Sequence, residues 1–300
     1  MRKIHFVALF ALLSMSPLSA AGQAGGLPKV LSLPASTRAM ALGDAYMMNA
    51  GHSDVLFYHP ALVTEASGFG LDLQRWGGKS TAATASAAMQ WLGGGIAIGL
   101  QTLQHGLPPG VSVPPAQDHL FQAGSVQASE RVATVAYGRE LFGVSFGVAG
   151  KLAEERIGSE RDDVALVDLS AATEVGPLVV GLTLRDWGEE PSVGTGAANP
   201  TRLVLGAGAY GQQLGPLDLG LSGSLSHSDE QTTASAGLEV GYWPISGRTF
   251  VGRVGLQGVS EGEGSPFSFG LAFWGDNLTL EWAYRNYGEA GTHRFGVRFQ

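Results

Sequence analysis

The chain has 300 residues, 45 glycines and no cysteine; its glycine share is about twice the usual ~7 %. Charged residues make up only 15 % and hydrophobic residues 44 %, which excludes a disordered chain and is unlike an average soluble domain with ~25 % charge. The lack of cysteine excludes a disulfide scaffold and Cys-type zinc sites, and the formal charge of −8 argues against nucleic-acid binding.

Residues 1–21 read as a secretory signal peptide. Arg2 and Lys3 give a positive start, "FVALFALLSM" is a short apolar run, and "SPLSAAG" offers a small-residue cleavage site after Ala20 or Ala21. The apolar run is shorter than the ~20 residues that a membrane helix needs. No cysteine follows the site, so lipid attachment there is excluded. Cleavage takes the formal charge from −8 to −10.

A front segment, 22–66, follows. "STRAMALGDAYMM" predicts a helix capped by Ser36 or Thr37, with Ala39, Met40, Leu42, Ala45 and Tyr46 as a loose apolar stripe and Gly43 as its weak point. "DVLFYHPALV" is apolar and aromatic, and Pro60 bars it from a helix interior or a central strand. It is too apolar for a free tail, so it is expected to fold into or under whatever follows, as a plug.

From residue 67 to 300 the pattern is period-2 alternation in pieces of about ten residues. Fourteen such segments lie near 68–76, 80–91, 95–104, 130–140, 143–153, 163–174, 177–187, 201–211, 216–226, 232–242, 248–258, 266–274, 277–286 and 292–300. "NLTLEWAYR" shows it most clearly, with Leu278, Leu280, Trp282 and Tyr284 opposite Asn277, Thr279, Glu281 and Arg285. One face collects residues such as Phe69, Leu71, Ile98, Phe146, Leu182, Leu221 and Phe269. The other collects Asp72, Lys151, Asp168, Arg185, Arg202, Asp218, Glu239, Arg253, Glu281, Arg285, Arg294 and Arg298, together with glycine, serine and alanine. Small residues on the polar face are expected to leave room for a lumen. Apolar out and polar in is the pattern of a transmembrane β-barrel.

The connections alternate in the same sense. "LGGG", "LFG", "VGP", "QQLGP", "PISGR" and "GDN" are short Gly/Pro turns. The intervening ones, among them "AEERIGSERDD", "WGEEPSVGTGAANP" and "SEGEGSP", are expected to be longer polar loops, apart from the brief "GGK". With the N-terminus periplasmic, the short turns fall inside and the long loops outside. Trp76, Trp91, Trp187, Trp243, Trp274, Tyr210, Tyr242, Tyr284 and Tyr287 fall near segment ends, as interface girdles would. The fold class is therefore all-β, a fourteen-stranded antiparallel transmembrane barrel with an N-terminal hatch containing short helix. The expected location is the outer membrane of a Gram-negative-type cell after export. Expected partners are outer-membrane lipid, lipopolysaccharide and the barrel-assembly machinery that reads the terminal "FGVRFQ".

"LPASTRAMALGDAYMM" followed by "LFYHPALV" resembles the N-terminal signature of the PorV/PorQ branch of the FadL-like outer-membrane proteins. Leu33, Pro34, Ser36, Arg38, Ala41, Leu42, Gly43, Ala45, Pro60, Ala61 and Leu62 match it, while Thr37, Asp44 and His59 replace the usual Ala, Gly and Asn. The resemblance implies a fourteen-stranded barrel with a hatch whose motif residues here are Arg38, Gly43, His59, Pro60 and Ala61. It implies passage of hydrophobic molecules such as fatty acids or, alternatively, a part in type IX secretion and surface attachment alongside secretion-system proteins.

No cofactor or metal is expected, since the histidines show no ligand spacing. An enzyme is not expected either, since no nucleophile elbow accompanies the many serines and an outer-membrane lipid-modifying activity has little to rest on. His59 reads as an ordinary hydrogen-bonded histidine before it reads as a pH-sensitive latch. Glu154, Glu155, Glu160, Asp162 and Asp163 read as a solvated surface before a Ca²⁺ site. The lumen cations Arg253, Arg285, Arg294 and Arg298 would either attract a carboxylate headgroup or pair with Glu239 and Glu281. Pairing is the preferred reading, because unpaired buried charge is costly.

Overall fold

The computed structural model describes residues 29–45, 48, 51–76, 80–105, 128–157, 160–188, 201–228, 231–245, 247–259, 264–287 and 291–300. The signal peptide, the first part of the front segment, Tyr46 and much of the expected long loops lie outside them.

Alternating sequence becomes fourteen strands: β1 (Gly68–Trp76), β2 (Ser80–Trp91), β3 (Gly94–His105), β4 (Ala128–Leu141), β5 (Val144–Ile157), β6 (Glu160–Val175), β7 (Leu178–Gly188), β8 (Arg202–Leu214), β9 (Leu217–His227), β10 (Thr232–Ile245), β11 (Arg248–Gln257), β12 (Phe267–Trp274), β13 (Leu278–Asn286) and β14 (Gly291–Phe299). Each pairs antiparallel with its sequence neighbours, and β14 closes on β1 with Phe69 opposite Phe299 and Arg75 opposite His293. Closure leaves no unpaired strand edge, the condition for a sheet to cross lipid. Short turns join the strands at one end. At Leu92-Gly93 and Phe142-Gly143 both turn residues have positive φ, the geometry whose twist matches that of tight hairpin strands.

Parity decides which face each side chain takes. Along β14, Thr292, Arg294 and Arg298 are buried while Phe295 and Phe299 are exposed. Leu182, Leu221 and Phe269 face outward, whereas Asp72, Lys151, Asp168, Glu239, Arg253, Glu281 and Arg285 are buried inside the ring.

The space inside is filled. Helix α1 (Thr37–Ala41) and 3-10 turns at Lys29–Leu31, Ser53–Phe57 and Pro60–Glu65 lie against the inner wall. Val55, Leu56, Phe57 and Val63 of this hatch pack with Ala97, Ala136 and Ala149 of the wall. Nearer the other end, Val30 and Leu31 pack with Leu103, Val132 and Leu166. Small lumen residues therefore do not hold open a bore at this level; they seat the hatch. A methyl group at Gly95 would overlap the Val63 carbonyl, one at Gly147 would overlap the Pro60–Ala61 peptide, and one at Gly255 would overlap Gly43.

Three further expectations change. The front helix is only five residues long. Ser36 caps it, its side chain accepting from Ala39 N at 3.2 Å, and the chain leaves it through Gly43 and Asp44, both at positive φ. The "AEERIGSERDD" stretch is largely strand, because alternation persists and Arg161 pairs with Glu154 and Asp163 at 3.0 Å each. Not all segment-end aromatics face lipid. Trp91, Trp187, Tyr242 and Trp243 are exposed, but Tyr210 and Trp274 lie 5.4 and 5.8 Å from the Arg38 guanidinium, and Tyr287 lies 4.9 Å from that of Arg285. Position near a strand end does not fix parity.

The two faces respond differently to charge. Leu221→Arg, near the middle of β9 and 59 % exposed, is expected to cost about 2–4 kcal/mol. Ser224→Arg, on the lumen face of the same strand, is expected to cost much less. Urea unfolding in lipid vesicles measures both.

Candidate functional site

The hatch is tied to the wall through one connected set of buried charges. Thr37 donates from both its backbone N and its hydroxyl to Asp72 Oδ1, at 2.7 Å each. Arg38 donates to Glu239 Oε1 at 2.8 Å. Glu239 Oε2 accepts from Arg253 at 2.6 Å, and Arg253 also reaches Glu281 at 2.7 Å. Glu281 accepts from Arg298 at 2.8 Å; Arg298 in turn reaches Asp72 at 3.1 Å and the hatch carboxylate Asp54 at 3.4 Å. Burial pushes the Asp54 carboxyl up, but the Arg298 charge, His52 and a hydrogen bond with Ser36 together outweigh it and hold the group below the usual carboxylate range.

Arg253 and Arg298 thus pair with Glu239 and Glu281, as the sequence led one to expect. Arg285 and Arg294 do not. Arg285 donates to the neutral Gln257 side chain. Arg294 donates to Gln74 at 2.8 Å, Thr84 at 2.9 Å and the hatch carbonyl of Ala35 at 2.6 Å.

A second network lies on β5 to β8. Lys151 pairs with Asp168 at 2.6 Å and Asp186 at 2.7 Å. Asp168 accepts from the Asp186 backbone N at 2.8 Å, and Asp186 also binds Arg202. Alternation alone puts Asp186 on the lipid face beside Arg185. A register shift between β6 and β7, with Asp186 at φ 58°, turns it inward. The available signal was physical: an acid on the apolar face of a barrel strand calls for a bulge.

The remaining motif residues act through the backbone and through packing. Gly43 lets the chain pass Leu256, where a Cβ would lie 2.7 Å from its backbone N. Pro60 opens the last 3-10 turn, and Ala61 N donates to Ser170 of β6 at 2.7 Å. His59 is fully buried, yet neither ring nitrogen has a hydrogen-bond partner among the described residues. It packs where a side chain at Gly181 would otherwise stand, next to Met48. The expected hydrogen-bonded histidine is therefore a buried neutral ring, whose pKa burial lowers to about 4.

These features define a class: a closed transmembrane β-barrel whose lumen is plugged by its own N-terminal segment. No protein-family model matches the chain, and no curated protein matches it in sequence. Its fold is similar to that of the Pseudomonas putida toluene transporter TodX, at 10 % identity, with 87 % of this chain and 95 % of that one covered and a TM-score of 0.53. It is also similar to that of the Ralstonia pickettii toluene transporter TbuX, again at 10 % identity, with 87 % and 97 % covered and a TM-score of 0.51. At such identity the likeness is one of fold.

Two outcomes test the site. Arg253→Met strips both Glu239 and Glu281 of a cation and is expected to destabilise the folded barrel by about 3–5 kcal/mol; thermal unfolding in detergent reads this. His59 has a folded-state pKa below its unfolded value of 6.5. Its neutral burial therefore contributes fully above pH 6.5, and the contribution is lost as pH falls toward 4. His59→Asn is expected to flatten the fall of the melting temperature across that window.

Proposed function

We propose that this protein is an outer-membrane channel for hydrophobic small molecules, gated by its hatch. One observation carries the reading: the chain folds as a plugged fourteen-strand barrel of the same fold as two toluene transporters. The apolar outer face suits it to lipid, with lipopolysaccharide and the barrel-assembly machinery as its partners there. The secretion reading rests on the front-segment resemblance alone, and no feature of the barrel favours it. Neither reading requires catalysis.

The described hatch residues are nearly all buried, so passage requires the hatch to shift. A lock can be built because the chain has no cysteine. Ser53 of the hatch and Ser86 of β2 have their hydroxyls 2.7 Å apart, which places a Ser53→Cys/Ser86→Cys pair within disulfide reach. Oxidised vesicles carrying the pair are expected to take up radiolabelled toluene no faster than empty vesicles, and reduction is expected to restore uptake. Equal uptake in both states would overturn hatch gating; no toluene uptake by the unmodified protein would overturn the transport reading.

A further inference from the structure

The lipid-facing wall carries two features that lie apart from the hatch and its ion network. The first is a gap in the apolar belt. Gly252 of β11 takes the outward position between Phe250 and Val254, both exposed, and a Cβ placed on it would meet nothing within 4 Å. The gap is a notch of about 440 Å³, walled by Leu238 and Val240 of β10, Val254 of β11, Phe269 and Leu271 of β12, and Trp282 of β13. That volume falls in the ~300–1,000 Å³ range of ordinary ligand sites. A glycine inside a strand weakens it and often marks the close approach of another molecule.

The second is a polar line near the loop end of the same wall. Register sets Tyr284, His293, Arg75 and Thr81 side by side on β13, β14, β1 and β2, at outward positions. One step nearer the short turns, the same four strands carry Trp282, Phe295, Leu73 and Ala83. The wall therefore passes from apolar to polar in a single step, as it does where hydrocarbon gives way to headgroups. An outward arginine costs little at that depth.

Trp282 belongs to both features. Its indole walls the notch, stacks on the His293 ring with centroids 5.9 Å apart, and donates from Nε1 to His293 Nδ1 at 3.3 Å. An indole N–H only donates, so Nδ1 accepts and the neutral imidazole carries its proton on Nε2, as a donor. Tyr284 packs on the same imidazole at 5.2 Å. It lies over Gly291, where a Cβ would stand 2.6 Å from the Tyr284 hydroxyl oxygen. Two aromatic rings thus fix the tautomer and the tilt of His293, and Arg75 stands directly opposite it. A guanidinium beside an imidazole N–H suits a phosphate oxyanion. From Gly252 to Arg75 is four strand spacings, ~19 Å across the sheet, which is wider than a single pair of acyl chains.

We propose that this wall binds one molecule of a phosphorylated, multi-chain glycolipid of the outer leaflet, of the lipid A class. A phosphate sits on Arg75 and His293, and an acyl chain fills the notch over Gly252. Lipopolysaccharide is then a bound ligand of this face and not only its surroundings. The inference goes beyond the transport reading and does not depend on it.

Native mass spectrometry of the full chain released from detergent reads the lipid retained. Diphosphoryl lipid A is the probe; dephosphorylated lipid A and phosphatidylcholine are the controls. Lipid A is expected to be held more tightly than either control. Arg75→Gln is expected to weaken it about tenfold, the loss of one charge-assisted contact, and His293→Gln severalfold. Arg75→Lys should keep part of the affinity. Gly252→Leu, which fills the notch, should weaken lipid A and its dephosphorylated form alike. These side chains face away from the hatch, so the heat-dependent gel shift and toluene uptake of the variants should match those of the unmodified protein; Arg75→Gln and Gly252→Leu lie on different strands, and either carries the test should the other fail to fold. Equal retention of lipid A and phosphatidylcholine, or lipid A retention unchanged in both of those variants, sinks the proposal. Displacement of lipid A by equimolar inorganic phosphate would reassign the polar line to free phosphate, and a dimer broken by Gly252→Leu would reassign the notch to a second copy of the chain; each overturns the lipid site. Toluene uptake without lipid A retention leaves transport standing.

Discussion

A strand crossing lipid leaves every N–H and C=O on its edges unmatched unless a neighbouring strand takes them, and the penalty rises where no water is present. The pairing of β14 with β1 is the contact that removes the last two edges. Once the ring is closed, each residue has only two places to go, lipid or lumen. The apolar face then faces outward, and every ionised group in the body of a strand must find its partners inside.

The lumen meets that demand with a hatch rather than with water alone. Each fully buried Val, Leu or Phe contributes ~1.5–3 kcal/mol, so hatch residues such as Val55, Leu56, Phe57 and Val63 supply most of the attraction to the wall. The ion network sets position more than strength. Buried ion pairs roughly offset their own desolvation, but Thr37 on Asp72, Arg38 on Glu239 and Asp54 on Arg298 fix the depth and rotation of the hatch. The apolar contacts make the plug stay, and the charges determine how it sits. A plug held mainly by apolar packing and registered by exchangeable ion pairs can move without unfolding the ring.

Legibility followed the range of the interaction. The strand segments could be read because parity and turn chemistry are local. The plug was legible from composition, since an apolar run with a central proline has few other homes. Local reasoning failed where the third dimension intervenes. It does not show the inward turn of Asp186, because a bulge is a mismatch between two strands and not a property of one. It gave Tyr210, Trp274 and Tyr287 to the membrane girdle, whereas their rings serve lumenal arginines. It ascribed to a bore the glycines that receive the hatch backbone. His59 was expected to be hydrogen-bonded, and that too is decided by neighbours more than 100 residues away.

From its residues alone the chain determined that it is a barrel, how many strands it has and which face of each meets lipid, because a period of two is written into consecutive side chains. It also determined that the lumen must carry charge of both signs. Only the tertiary structure decided which charges meet. Arg253 with Glu281 and Arg298 with Asp54 both depend on strand register and on where the hatch comes to rest. Those are set by ring closure over the whole chain, a constraint that no local window of sequence contains.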